Sequence, residues 1–269
     1  MSKLPSVSYN LWSLFKAQAG KQYWFCDMKR GFKKVRNYEP KVKALLAQDN
    51  TNQLIGKLAQ SGVYEFHKYP ELLYQYEGVE KVSKIIELNQ TSEEIQKRVI
   101  SILNNYYKNP ILVNKEIVQL SKGNEGYPKP ITIQEGSYCF NLYAPTDCIF
   151  KDPDGTIHIL DFKTGKSDFD RRQAYVYLLA SSYLYPQQPL VASFYNLETC
   201  SASDVITASE ERLKFLQIEL SDIAKQHELE KKRYYQEISN FAEIYPPNPG
   251  VACNSCEFSY ICEFSVSEV

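Results

Sequence analysis

The segment YAPTDCIFKDPDGTIHILDFKTGK, residues 143–166, constrains this chain more than any other. Residues 138–150 and 156–163 are rich in β-branched and aromatic side chains, and Asp152-Pro153-Asp154-Gly155 between them is a strong turn sequence, so the pair predicts a β-hairpin. With Pro153 and Asp154 at the centre of the turn, Asp147 and Asp161 fall one residue short of direct opposition, a gap that a single bulge closes. Asp161 and Lys163 are two apart and share a strand face, while Phe162 points the other way, toward the core.

Two carboxylates and an ammonium on one face make a place for a hard divalent cation held through oxygen. Such a cation polarises a phosphoryl oxygen, activates water and neutralises developing charge. Lys163 is then placed to position the attacking hydroxide or to stabilise a pentacovalent transition state. The tripeptide alone has a simpler reading, a surface ion pair between Asp161 and Lys163. Gln173 and Tyr177 tip the balance, because four residues apart they lie on one helical face just past the strand end and address the same cleft.

Around the hairpin, residues 8–107 read as mostly helical, with clear apolar periodicity over 42–66 and again over 92–107. Residues 111–120 read as a strand, followed by the polar loop SKGNEGYPKP. A helix over 170–185, a strand over 190–197 and a long charged helix over 209–245 follow, and YPPNPGVAC then opens a cysteine-bearing tail. The expected fold is α/β, a mixed β-sheet core flanked by helices, with an N-terminal helical portion and a C-terminal cysteine tail. We expect one compact domain built of residues 1–110, 111–208 and 209–269.

The 269 residues balance 31 Lys and Arg against 32 Asp and Glu, and 43% are apolar, which excludes disordered, collagen-like and coiled-coil classes. No apolar run approaches the roughly 18 residues of a membrane span, and MSKLPSVSYN lacks the apolar stretch of a signal peptide, so a cytoplasmic protein with no membrane partner is expected. Residues 1–50 carry ten Lys and Arg against three Asp and Glu, a solvated helical face or a surface for a polyanion.

Taken in order, Asp147, then Ile159-Leu160-Asp161-Phe162-Lys163-Thr164-Gly165, then Gln173-x-x-x-Tyr177 resembles the PD-(D/E)xK nuclease superfamily, and within it the RecB-type branch that includes the nuclease of CRISPR spacer acquisition. The resemblance implies a restriction-endonuclease-like fold and Mg²⁺ or Mn²⁺ held by Asp147, Asp161 and the Phe162 carbonyl. It also implies a catalytic Lys163, with Gln173 and Tyr177 supporting the site or placing DNA. The branch usually carries a helix-borne G-x-x-x-H whose histidine adds a metal ligand. Here Gly56-Lys57-Leu58-Ala59-Gln60 fits that helix with Gln60 in the histidine place, where its carbonyl oxygen is the expected ligand. His67 reads as a surface residue, as do His158 and His227, and Glu116 as a lesser candidate near the site.

Seven cysteines are an odd count, which argues against a disulfide framework, and Cys253-x2-Cys256-x5-Cys262 clusters three of them in the tail. With a fourth ligand from elsewhere, spacing alone fits zinc and an iron–sulfur cluster equally. Trp24-Phe25-Cys26-Asp27-Met28-Lys29-Arg30-Gly31-Phe32 resembles the early C-P-x-K-F segment of iron–sulfur RecB-type nucleases, with Asp27 in place of proline. That resemblance implies a [4Fe–4S] cluster on Cys26, Cys253, Cys256 and Cys262. Cys139, Cys148 and Cys200 read as small core residues. Lys29, Arg30, Lys33, Lys34 and Arg36, with Arg171 and Arg172, are candidates for tracking a phosphate backbone.

The expected activity is metal-dependent hydrolysis of DNA phosphodiester bonds, exonucleolytic on single strands or frayed ends, in repair, recombination or CRISPR-type processing. Repair or CRISPR-complex proteins are the expected partners. The competing expectations are a nucleic-acid-binding protein of the same fold that turns over weakly or not at all, and a structural or assembly partner of a repair or CRISPR complex.

Overall fold

The computed structural model of this chain describes residues 4–47, 50–126, 128–165 and 169–266. In chain order its elements are β1 (Ser6–Ser8), α1 (Tyr9–Trp12), α2 (Asp27–Lys34), α3 (Pro40–Leu46), α4 (Thr51–Lys68), α5 (Gly78–Ile85), α6 (Glu93–Lys108), β2 (Glu116–Leu120), β3 (Ile131–Glu135), β4 (Tyr138–Tyr143), β5 (Cys148–Lys151), β6 (Ile157–Lys163), α7 (Arg172–Leu184), β7 (Leu190–Asn196), β8 (Ser201–Ala202), α8 (Glu210–Tyr235) and α9 (Phe241–Ile244). They form a mixed α/β fold in two compact units. One takes residues 1–49, 131–143 and 215–269, the other 50–130 and 144–214.

The unit of residues 50–130 and 144–214 holds a five-stranded sheet in the order β2-β5-β6-β7-β8. Only β6 and β7 run parallel; the other pairs are antiparallel. Strand alternation divides the hairpin residues between two cores. Cys148, Phe150, Leu160 and Phe162 pack with Ile55, Val63, Phe66, Val99 and Leu103 of α4 and α6. Ile149, Ile157 and Ile159 pack with Ala174, Tyr177 and Leu178 of α7. Covered on both sides, β5 and β6 read as nearly continuous apolar runs.

The expected strand over 138–150 is two strands in two different sheets. Pro145 has no N–H to give a ladder, and the chain leaves strand geometry between β4 and β5. The hairpin itself forms as β5 and β6, paired Cys148↔Leu160 through Lys151↔Ile157. Its turn is one residue longer than expected. Asp152 N–H donates to the Thr156 carbonyl at 2.9 Å and Gly155 N–H to the Asp152 carbonyl at 2.9 Å, with Gly155 at φ +91°. This is a three-residue loop whose last residue is left-handed, a conformation open to glycine at no steric penalty. The added residue supplies the one-place shift without a bulge in either arm, and Asp147 and Asp161 are the residues next beyond the last pair, Cys148↔Leu160.

The other unit holds a three-stranded sheet in the order β1-β4-β3. Met28, Phe32, Val42 and Phe258 form one of its apolar clusters, and Val35, Ile244 and Tyr245 another. Two helices expected as continuous are broken. Residues 42–66 divide into α3 and α4, because the Asn50 side chain accepts from Gln53 N–H and caps a new start. Residues 209–245 divide into α8 and α9, where Asn240 caps in the same way after Glu237 turns left-handed. β1, β3 and β8, absent from the sequence reading, are short.

Candidate active site and cysteine pocket

The strand end at Asp161–Lys163 gathers the expected side chains. Asp161 is 3% exposed, and its Oδ1 accepts from the Tyr177 hydroxyl at 2.9 Å and from Gln173 Nε2 at 3.1 Å. Its Oδ2 lies 2.5 Å from the Lys163 ammonium. Lys163 also donates to Gln173 Oε1 at 3.0 Å, and Gln173 Nε2 donates to the Tyr177 hydroxyl at 2.5 Å. The four-residue spacing on α7 thus turns two polar groups toward one carboxylate. Burial, and then the charges of Asp161 and Asp147, hold the Tyr177 phenol far above its ordinary pKa, so it stays a proton donor.

Asp147 is half-buried just before β5, with Oδ2 accepting from the Phe162 N–H at 2.8 Å and Oδ1 from Gln60 Nε2 at 2.9 Å. Burial and the neighbouring Asp161 charge push its carboxyl up, while the Phe162 N–H, Lys163 and Gln60 pull it back. Each carboxylate oxygen has lone pairs to spare after these bonds. All the donors offered here to a metal are oxygens, which suits a hard cation that takes one or two carboxylates and completes its shell with water and substrate phosphate. Among the described residues, no group of three or more His, Cys, Asp or Glu side chains is arranged to hold a metal ion.

Gln60 is at the site, but it turns its amide nitrogen rather than its oxygen toward Asp147, and donates to the Ser121 carbonyl at 3.3 Å as well. Its neighbours in the loop after β2 were legible only as a polar run. There Glu125 accepts from the N–H groups of Lys122 (2.5 Å) and Gly123 (3.0 Å) and from the Ser121 hydroxyl (2.8 Å). Burial opposes its charge, but these donors hold the Glu125 carboxyl below the usual range. Asn196, wholly buried, also escaped the sequence reading. It donates to the Gly165 carbonyl at 2.8 Å and anchors the chain just after Lys163.

Other sequence candidates lie elsewhere. Glu116 is exposed and faces Lys151 near the hairpin turn, four residues from Leu120 and about 13 Å away by strand rise. His67 is not a surface residue: its Nε2 meets the buried Tyr106 hydroxyl at 2.5 Å, and burial lowers its pKa to about 4. His158 bridges Ser193 Oγ at 2.7 Å and Asp152 at 3.4 Å, and His227 is 8% exposed. Of the basic residues, Arg30 is buried between Asp27 and Glu230. Lys29 and Lys33 pair with Glu257 at 2.8 and 2.6 Å, Arg36 with Glu39, and Arg172 with Asp170. Cys148 is buried as expected, whereas Cys139 and Cys200 are partly exposed.

In the unit of residues 1–49, 131–143 and 215–269, Cys26, Cys253, Cys256 and Cys262 line one cavity of about 130 Å³ with Trp24, Met28 and Phe32. The termini meet there through specific bonds: Asn248 Nδ2 donates to the Phe25 carbonyl at 2.7 Å, and Met28 N–H to the Pro246 carbonyl at 3.3 Å. Burial raises the Cys256 and Cys262 thiols, while backbone N–H groups at Val266 and Gly250 lower Cys253. The space is several times the volume share of one water, about 30 Å³. No helix among the described residues is long and apolar enough to cross a membrane.

No curated protein matches the chain. Eleven chains of solved structures do. One is the crystal structure of SSO0001, 14% identical at a TM-score of 0.33, covering 88% of this chain and 94% of that one. Another is a candidate exonuclease from Eubacterium rectale, 12% identical at a TM-score of 0.45, covering 88% and 83%. The family model of the PD-(D/E)XK nuclease superfamily matches residues 46–263, which takes in every side chain of the carboxylate site and the cysteine tail. This chain belongs to the PD-(D/E)XK nuclease superfamily.

Proposed function

We propose that this protein hydrolyses DNA phosphodiester bonds, acting as an exonuclease on single strands or frayed ends, in repair, recombination or CRISPR-type processing. The observation that carries the reading is that Asp147, just before the Cys148↔Leu160 pair, accepts from the Phe162 N–H beside Asp161, with Lys163 Nζ 2.5 Å from Asp161. Asp147, Asp161 and the Phe162 carbonyl would hold Mg²⁺ or Mn²⁺, which when bound supplies Lewis-acid polarisation of the phosphate and a water of lowered pKa. Lys163 carries the positive charge that offsets charge growing on the phosphoryl oxygens. Gln173 and Tyr177 hold Asp161 and Lys163 in place by the four bonds described above. Asn196 keeps the strand end from fraying by its bond to Gly165.

The RecB-type branch, with a [4Fe–4S] cluster on Cys26, Cys253, Cys256 and Cys262, is part of the proposal. Its support is that Cys26, Cys253, Cys256 and Cys262 line one cavity, although the four are not drawn together as a finished metal cage. Free thiols of this kind suit a reducing compartment, which favours the cytoplasm. The test is cleavage of end-labelled single-stranded DNA by protein purified without oxygen, with Mg²⁺ or Mn²⁺, beside Lys163→Ala. Cleavage lost in the variant supports the proposal. DNA binding without cleavage in either metal favours the second reading, a binding protein of this fold, for which Gln60 in the usual histidine place is the specific observation.

A further inference from the structure

The end of Gln60 that meets Asp147 also meets the Ser121 carbonyl oxygen, at 2.9 and 3.3 Å. A carbonyl has no proton to give, so the NH₂ group must occupy that end. Oε1 is left on the side of Gly123, where an added Cβ would stand 2.8 Å from it. A cation ligand needs its oxygen beside the carboxylate. Gln60 has its donors there.

The turn that imposes this orientation is tied down on every side. Ser121 N–H donates to the Asp147 carbonyl at 2.8 Å, and the Ser61 hydroxyl, next to Gln60 on α4, donates to the Lys122 carbonyl at 2.9 Å. Glu125 closes it by accepting from Ser121, Lys122 and Gly123 together. Gly123 sits at φ +87°, so both its backbone and its missing side chain serve the approach of Gln60.

We propose that Glu125 is a positioning residue: it fixes the 121–125 turn so that Gln60 donates to Asp147 and orients that carboxylate, and Gln60 is not itself a metal ligand. The inference rests on the reading of Asp147 as a cation ligand given under the proposed function. Its mechanism is that of outer partners that orient first ligands, whose loss weakens metal binding about 10–100-fold.

The test compares wild type, Glu125→Ala, Glu125→Gln and Gly123→Ala, without DNA. Two quantities are read: hydrogen exchange of the Gln60 side-chain amide by NMR, and Mn²⁺ affinity by calorimetry. In Glu125→Ala the amide should exchange at least about tenfold faster and Mn²⁺ should bind about 10–100-fold more weakly, with Glu125→Gln in between because one acceptor remains. A folded Glu125→Ala protein with unchanged Mn²⁺ affinity overturns the proposal, as does a wild-type Gln60 amide that loses its protection when diamagnetic Mg²⁺ is added. Wild type that binds no Mn²⁺, while Glu125→Ala still frees the amide, supports the turn's hold on Gln60 and sinks the cation site instead.

Discussion

Replacing Asp147 by asparagine should stabilise the cation-free fold near neutral pH, even as it removes the charge the site is built around. Burial first, and the Asp161 charge second, raise the Asp147 carboxyl from its ordinary value to about 8. The folded chain therefore keeps a proton that the unfolded chain releases above about pH 4. That stability is present at low pH and is lost as pH rises toward 8. One proton sets a ceiling of about 1.4 kcal/mol per pH unit, hence about 3 kcal/mol between pH 5 and 7. Against this, an asparagine has one oxygen and accepts from either the Phe162 N–H or Gln60, so it forfeits one hydrogen bond worth about 1 kcal/mol. The lost bond does not depend on pH, so a variant that matches wild type near pH 5 should exceed it by up to about 3 kcal/mol at pH 7.5, with each kcal/mol worth about 2–4 °C in a chain of this size. Thermal melts in EDTA across pH 5–8 read the difference, and added Mg²⁺ should raise the wild type alone. A gap that does not change with pH, or a variant less stable throughout, refutes the reasoning.

Acid acts through different groups: burial holds His227 at about 3 and His67 at about 4, so both stay neutral in the fold while the unfolded chain protonates near pH 6.5. Stability should fall from pH 6.5 toward 4, and His227→Gln should flatten that fall in the same melts. Tyr177→Phe leaves Asp161 Oδ1 with Gln173 as its remaining donor and should destabilise the chain by about 1.5–3 kcal/mol in urea titrations, as for a bond to a charged group; a loss below about 0.5 kcal/mol would show the hydroxyl is not bonded there. Cys256→Ala should lose visible absorbance and bound iron from protein purified without oxygen, whereas zinc in place of iron in the wild type would decide for the other Cys₄ occupant.

What could be read from the sequence was set by separation along the chain. Asp161 with Lys163, and Gln173 with Tyr177, are two and four residues apart, so the strand and helix periods alone fix which pairs share a face. The hairpin brought Asp147 to Asp161 to within one place, and the remaining place depended on whether Gly155 or Asp154 ended the turn. Gln60 was found by its place in a motif, but the direction of its amide depends on Ser121, 61 residues away. Glu125, Gly123 and Asn196 act through bonds between segments with no periodic relation, and a polar loop or a lone Asn at a strand end carries no signal of such a bond. The same limit explains the histidines. His67, His158 and His227 read as surface residues because polarity was all the sequence offered, and each is enclosed by partners from other elements.

The arrangement also has a reason to want a cation that is independent of any family pattern. Among the described residues, Lys163 is the ammonium in contact with the paired carboxylates, and the other partners, Gln60, Gln173, Tyr177 and the Phe162 N–H, are neutral donors. With both carboxylates ionised, the described residues of the cluster carry one uncompensated negative charge in a setting where burial already disfavours charge. Apolar packing from α4 and α6 on one side of the sheet and α7 on the other keeps water from relieving it. A proton on Asp147 removes the excess, which is why that carboxyl titrates high. A divalent cation removes it while leaving both carboxylates ionised, so proton and cation should compete for the same place, and the affinity for Mg²⁺ or Mn²⁺ should rise with pH until Asp147 is fully ionised.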